Sequence, residues 1–270
     1  MDADALRAEI SSLAPWHHDV EVAPGIFTGQ AVATDSKLTA LGKPTLIDPG
    51  HAARMVVDAV FPEGLQGRSV LDCACNAGGY LFAAASLGAG RSFGFDVRDH
   101  WIRQAHFLAR HLPGERIEFA TCDLADLPGR GLEPFDVTWF NGLFYHLPDP
   151  VAGLRIAADL TRELLVVNTA AAYAPGHALV LSPESRTLAM SGVHGLAWLP
   201  SSDRVVREIL AWCGFPHTRL QWKRRPSRKS WRMQVLAARE AGTFAHFDAR
   251  NPSQPEGRIS RRIRRLLGRE

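Results

Sequence analysis

Three segments that read as strands close in acidic or polar clusters. They are Asp72 in Val70-Leu71-Asp72-Cys73-Ala74-Cys75-Asn76-Ala77-Gly78-Gly79, Asp96 in Phe95-Asp96-Val97-Arg98, and Cys122-Asp123-Leu124. A turn of small residues lets a ligand lie against backbone, and an acid about 20 residues later can accept from both hydroxyls of a ribose. A dinucleotide would want GxGxxG here, so that its pyrophosphate could reach a helix N-terminus. The turn instead has Cys73, Cys75 and Asn76 where glycines belong, and Asp72 would repel a pyrophosphate. S-adenosylmethionine carries no phosphate. Its ammonium and sulfonium suit an acidic strand end, its ribose suits Asp96, and its adenine amine can donate to Asp123.

Each of these residues has a plainer reading. A strand-terminal Asp can cap the helix that follows, although two in register with Asp123 favour a ligand site. Cys73 and Cys75 read as small residues at the core edge. The four cysteines (Cys73, Cys75, Cys122, Cys213) form no CxxC pair, which points to reduced thiols and away from zinc or iron–sulfur chemistry. Trp101 and Gln104 fall on the helix after Asp96, where adenine contact and packing are equally open.

The elements that position these clusters alternate along the chain. The pattern predicts strands at 69–72, 92–96, 116–121, 135–140 and 164–167, with helices at 79–87, 99–111 and 150–160 between them. Such alternation implies right-handed crossovers and a parallel sheet covered on both faces, an α/β doubly wound core. A helix is expected from Asp2 to Leu13, and another starts at Asp48-Pro49. A Gly- and Pro-rich stretch from Trp16 to Pro49 reads as a lid. Beyond Asn168 the alternation stops until a helix capped near Ser201 to Asp203 and ending at Trp212. Two strands follow at 217–222 and 231–237, a hairpin at the sheet edge. The expected organisation is therefore an N-terminal helix and lid (1–49), a core (50–240) with a cap insertion (169–200), and a basic tail (241–270).

The cluster set resembles the class I S-adenosylmethionine-dependent methyltransferases over roughly residues 50 to 240. The resemblance implies a Rossmann-like, mostly parallel seven-stranded sheet with a C-terminal antiparallel hairpin. The run Phe135-Asp136-Val137-Thr138-Trp139-Phe140-Asn141-Gly142-Leu143-Phe144-Tyr145-His146-Leu147-Pro148-Asp149-Pro150 is similar to the fourth-strand motif of one subfamily. That subfamily holds the tRNA wobble-uridine (5-oxyacetyl/5-methoxy) transferases and bacterial relatives. Trp16-His17-His18-Asp19-Val20-Glu21, Pro24 to Gly29, Trp198 to Ser201 and Gly214-Phe215 add to it. The first motif departs from the usual acidic-x-Gly-x-Gly by having Ala74 and Asn76. The resemblance implies cofactor contacts from Asp72, Cys73, Ala74, Cys75, Asn76, Gly78, Asp96, Val97, Cys122, Asp123, Leu124, Asn141 and Gly142.

Methyl transfer from a sulfonium is an in-line displacement, so alignment of the nucleophile dominates, and a base is needed only for a hydroxyl or amine acceptor. His146 is the candidate base after the fourth strand, with His17, His18 and His194 in the covering segments, and Tyr145 shaping the sulfonium end. The Asn-Pro-Pro-aromatic motif of amino-group nucleic-acid methyltransferases is missing after Asn141, as is a Pro-Cys nucleophile; those two classes drop out.

Composition and charge bound the rest. The 270 residues are 46% hydrophobic and 22% charged, enough for a sizeable core, and no apolar window is long enough for a membrane span. With an acidic start at Asp2 and Asp4, the chain is expected in the cytoplasm. The net charge of +3 conceals an asymmetry. From Asp203 onward there are 17 Lys and Arg against 6 Asp and Glu, and before it 14 against 22. The leading expectation is methylation of oxygen or nitrogen on a small metabolite or natural-product intermediate. An RNA partner, the tRNA wobble uridine, would use the basic residues from Arg219 to Arg232 and the arginine-rich tail, where Gly257 to Glu270 can form a basic amphipathic helix. A non-catalytic partner subunit is the third reading.

Overall fold

The computed structural model describes residues 2–30, 46–188, 190–225 and 230–252. The chain divides into two compact units, Met1–Asp123 with Leu188–Met190, and Leu124–Thr187 with Ser191–Glu270.

The first unit opens with α1 (Ala3–Ser12), whose N-terminus is capped by the Asp2 carboxylate. Two short strands, β1 (Glu21–Ala23) and β2 (Ile26–Phe27), form a hairpin inside the stretch expected to be an irregular lid. Strands of two or three residues leave no periodicity to read, and the turn rests on Gly25 at φ 73°. Helix α2 (Pro49–Val60) starts where the sequence predicts, with Asp48 Oδ1 accepting from the His51 N–H at 2.8 Å and Pro49 in the first turn. Then come β3 (Val70–Cys73), α3 (Gly79–Ser86), β4 (Ser92–Asp96), α4 (Asp99–Ala109) and β5 (Ile117–Thr121), with both strand pairings parallel. Leu6, Ile10, Trp16, Val22, Ile26, Ala77, Phe82, Phe107 and Leu108 form one apolar cluster, so the N-terminal segment is core material of this unit. Gln104 is fully buried and donates to the carbonyls of Leu13 and Pro15 at 2.6 and 2.8 Å. It pins the segment after α1, and Trp101 is buried beside it in α4.

The second unit contains β6 (Phe135–Asn141), a 3-10 turn at Phe144–His146, α5 (Pro150–Asp159), β7 (Thr161–Ala172), β8 (Leu179–Pro183), β9 (Leu196–Pro200), α6 (Asp203–Trp212), β10 (His217–Arg224), β11 (Ser230–Ala238) and α7 (Ala245–Arg250). β6 and β7 run parallel, while β11 is antiparallel to both β7 and β10. The whole sheet has seven strands in the order β10-β11-β7-β6-β3-β4-β5, a Rossmann-like α/β sheet ending in the expected C-terminal hairpin.

Three boundaries differ from the sequence pattern. β7 continues past Val167 to Ala172, because β11 pairs with it along its length, Trp231 opposite Ala171 and Met233 opposite Thr169. The expected insertion 169–200 therefore begins as sheet and continues as the β8–β9 hairpin. The expected tail begins as core. Phe244 and Phe247 are buried, and Asp248 accepts two hydrogen bonds of 2.6 Å from Arg219. The helix expected at Gly257 to Glu270 lies outside the described residues. Among the described residues no helix is long and apolar enough to cross a membrane.

Candidate active site

In the first unit the turn after β3 is built by three residues with left-handed backbone: Ala74 at φ 57°, Asn76 at 52° and Gly78 at 73°. The two positions where Ala and Asn replace the resembled motif's glycines are thus positions whose conformation favours glycine. Asn76 offsets part of the cost, since its side-chain Oδ1 accepts from the Ala77 N–H at 2.8 Å. Asn76 also donates its N–H to Asp96 Oδ2 at 3.1 Å, and Arg98 donates its N–H to Asp96 Oδ1 at 3.0 Å. Asp96 therefore braces the turn as well as closing β4.

Asp72 is 2% exposed, and its Oδ2 is buried with no hydrogen-bond partner. Burial, reinforced by the charge of Asp96, pushes the Asp72 carboxyl well above the usual carboxylate range. Asp96 is raised by burial too, opposed by the backbone N–H groups of Arg98 and Asn76. Asp72 thus keeps an orphaned oxygen beside a second buried carboxyl, Asp96, whose charge Arg98 offsets in part. That is the complement of an ammonium, so these residues fit the charged end of S-adenosylmethionine. Burial and the neighbouring Asp72 raise the thiols of Cys73 and Cys75, which stay protonated; both are buried in the core, not at its edge as the sequence suggests. Val97 is exposed after Asp96, and Cys122 and Asp123 are half-buried after β5. The Cys122 N–H donates to the Asp96 carbonyl at 3.1 Å.

His18 has a structural task that the sequence did not announce. It is 4% exposed, and its Nδ1 accepts from the Gly79 N–H, the first of α3, at 3.2 Å. Burial, with His17 adding, lowers its pKa from 6.5 to about 3. The imidazole is neutral with its proton on Nε2. A Cβ on Gly79 would lie 2.8 Å from His18 Nδ1 and 2.5 Å from Pro49 Cγ, so only glycine allows the approach.

In the second unit the fourth-strand motif brings its residues together. Asn141 ends β6 opposite Asn168 of β7, and its Oδ1 is buried with no partner. Gly142, at φ 71°, donates to the Asn168 carbonyl at 2.8 Å. Leu124 is buried at the start of this unit, ahead of β6. The Tyr145 and His146 rings lie 4.0 Å apart between centroids. His146 Nδ1 is 2.8 Å from Glu184 Oε2, a partner 38 residues later that has no sequence signature. Arg232 on β11 donates to Asn168 Oδ1 at 3.3 Å, and its guanidinium carbon lies 5.7 Å from the Tyr145 ring centroid. Among the described residues Arg232 has no carboxylate partner. Of the other covering histidines, His194 offers its carbonyl to Arg186 at 3.1 Å. Among the described residues no three His, Cys, Asp or Glu side chains group to hold a metal ion.

Residues 65–190 match the family Methyltransf_31, a methyltransferase domain. The tRNA U34 carboxymethyltransferase of Campylobacter hominis is 37% identical over 112 residues, 41% of this chain and 39% of that protein. The tRNA U34 carboxymethyltransferase of Ectopseudomonas mendocina is 31% identical over 152 residues, 53% of this chain and 44% of that one. The chain thus spans less than half the length of these curated relatives. Among solved structures, the N-terminal domain of EvdMO1, crystallised in the presence of SAH and D-fucose, is similar with a TM-score of 0.68 at 20% identity, over 88% of this chain and 97% of that one. The magnesium protoporphyrin IX methyltransferase ChlM of Synechocystis PCC 6803, with bound SAM, is similar with a TM-score of 0.50 at 21% identity, over 71% of this chain and 79% of that one. The fold is the Rossmann-like fold shared with these solved structures, and residues 65–190 match a methyltransferase domain.

Proposed function

From a methyltransferase domain as premise, we propose that the chain transfers a methyl group from S-adenosylmethionine to oxygen or nitrogen of a small metabolite or natural-product intermediate. The observation that carries the reading is the turn after β3, where the orphaned Asp72 oxygen and the braced Asp96 await a cation and a diol. When bound, the cofactor supplies an electrophilic methyl on sulfur. Asp72 meets the ammonium, Asp96 the ribose hydroxyls, and Asp123, with Val97, Cys122 and Leu124 beside it, the adenine. Ala74, Cys75, Asn76 and Gly78 lend backbone. Within the second unit, the fourth-strand motif is the ground for assigning cofactor contact to Asn141 and Gly142 and the sulfonium end to Tyr145. His146 takes the acceptor's proton through Nε2.

Three of the C-terminal cations are committed inside the fold. Arg219 is 4% exposed and paired with Asp248, Arg207 bonds Asp203 and Thr218, and Arg239 donates to the carbonyls of Ala158 and Thr161. Of the basic residues expected to contact RNA, Arg219 is thus committed inside unit 2, while Lys223, Arg224 and Arg225 are exposed. The structural neighbour crystallised with SAH and a sugar is in line with a small acceptor.

A second reading, tRNA wobble-uridine modification with carboxymethyl transfer, is supported by the names of the curated relatives and by Arg232, a half-buried cation that suits an extra carboxylate. Competition binding between S-adenosylmethionine and its carboxylated form separates the two; preference for the carboxylated form favours the second. For the leading reading, Asp96→Ala should weaken S-adenosylmethionine at least tenfold by calorimetry, as loss of charge-assisted hydrogen bonds worth roughly 1.5–3 kcal/mol requires. Undiminished affinity in the variant would refute the assignment.

A further inference from the structure

Glu184 stands in the stretch where the sequence offers no motif, yet it is held in place with care. It follows β8 directly, its backbone N–H donates to the Gly195 carbonyl at 3.0 Å across the β8–β9 hairpin, and Pro183 pairs with Leu196. Its side chain and that of His146 are each only 15% exposed. Gly192 closes over the contact: a Cβ there would lie 2.8 Å from His146 Cβ and 2.9 Å from Glu184 Oε2. The hairpin presents the Glu184 carboxylate to His146 Nδ1, and a side chain at Gly192 would crowd both.

We infer that Glu184 is a positioning residue that fixes the tautomer and basicity of His146, an inference that rests on His146 being the base of the proposed reaction. An ionised carboxylate only accepts, so the 2.8 Å contact requires the proton of the neutral ring on Nδ1. The lone pair is then on Nε2, the nitrogen that must take the acceptor's proton. Titratable and charged groups around the ring include Glu184 from the hairpin and Tyr145 on the same turn, with Arg232 on β11 beyond the Tyr145 ring. As the acceptor oxygen bonds to the methyl carbon, the carbon–sulfur bond breaks with its electron pair leaving on sulfur. The hydroxyl proton passes to Nε2, and the imidazolium so formed is stabilised by the Glu184 charge until it releases the proton to water.

The test reads the ring directly, by long-range proton–nitrogen NMR of the His146 imidazole across pH, beside turnover of the wild-type chain, Glu184→Ala and Glu184→Gln. Wild type should show a protonated Nδ1 and an unprotonated Nε2 above the ring's pKa. Glu184→Ala should lose that preference and titrate lower. Glu184→Gln, whose amide oxygen still accepts, should keep the tautomer and titrate lower as well. Turnover should fall roughly 10- to 100-fold in Glu184→Ala at unchanged cofactor affinity, with the rate-versus-pH break moving down alongside the NMR titration. An identical tautomer and titration in wild type and Glu184→Ala would overturn the inference; if that variant does not fold, an unmoved titration in Glu184→Gln would do so. A changed ring with unchanged turnover would leave Glu184 as the orienting partner and sink the reading of His146 as base.

Discussion

Ala74 pays for its place with backbone strain. A non-glycine residue at φ 57° loses about 1–2 kcal/mol to contact between Cβ and the following carbonyl, part of which glycine would return in unfolded-state entropy. Ala74→Gly should therefore raise stability by up to about 1 kcal/mol in denaturant unfolding, with no loss of cofactor binding. His18 makes an opposite kind of demand, because its ring must be neutral to accept from Gly79. Its pKa is about 3 in the fold against 6.5 when unfolded, so below 6.5 the unfolded chain binds the extra proton first. Stability should fall as pH drops from 6.5 toward 5, at up to roughly 1.4 kcal/mol per pH unit, and His18→Asn should flatten that slope. An unchanged slope in the variant would show that His18 is not the group responsible. The places of Asp72 and Asp96 at strand ends and of Asn76 in a turn are legible in sequence, because strand periodicity and turn chemistry announce them. Glu184 and the His18 contact are not, since each depends on a partner dozens of residues away that only tertiary packing supplies.

At the scale of elements, segments with a clear period and a cap appear where the sequence puts them: α2 behind Asp48-Pro49, and β3, β4 and β6 as buried apolar runs. What escapes is set by partners. Thr169-Ala170-Ala171-Ala172 has little strand propensity of its own, and it is extended because β11 lies alongside. The stretch after Arg239 escapes likewise, since one helical turn with two aromatics reads as tail until its packing is seen. Truncation after Arg239 should lower the unfolding midpoint sharply, and Phe244→Ala alone should cost about 3–5 kcal/mol as a large side chain removed from a packed site. A truncated chain as stable as the full one would show that this segment is not core.

For the molecule as a whole, net charge is a poor guide to partners, because cations committed inside the fold count the same as free ones. Arg219→Gln should destabilise unit 2 by about 1–3 kcal/mol while leaving any tRNA affinity unmoved in filter binding; a drop in that affinity without loss of stability would reverse the assignment. The antiparallel β11 also orders events in time. Every member of the first unit's apolar cluster precedes Phe119, so that unit's core is complete early in synthesis. β7 waits for Ser230–Ala238 before its second edge is covered. A nascent chain paused on the ribosome near residue 200 would hold Leu164 to Val167 along an unpaired strand edge, the template for joining a neighbouring chain. Yield in a cell should then respond to codon speed over the last third of the message more than over the first.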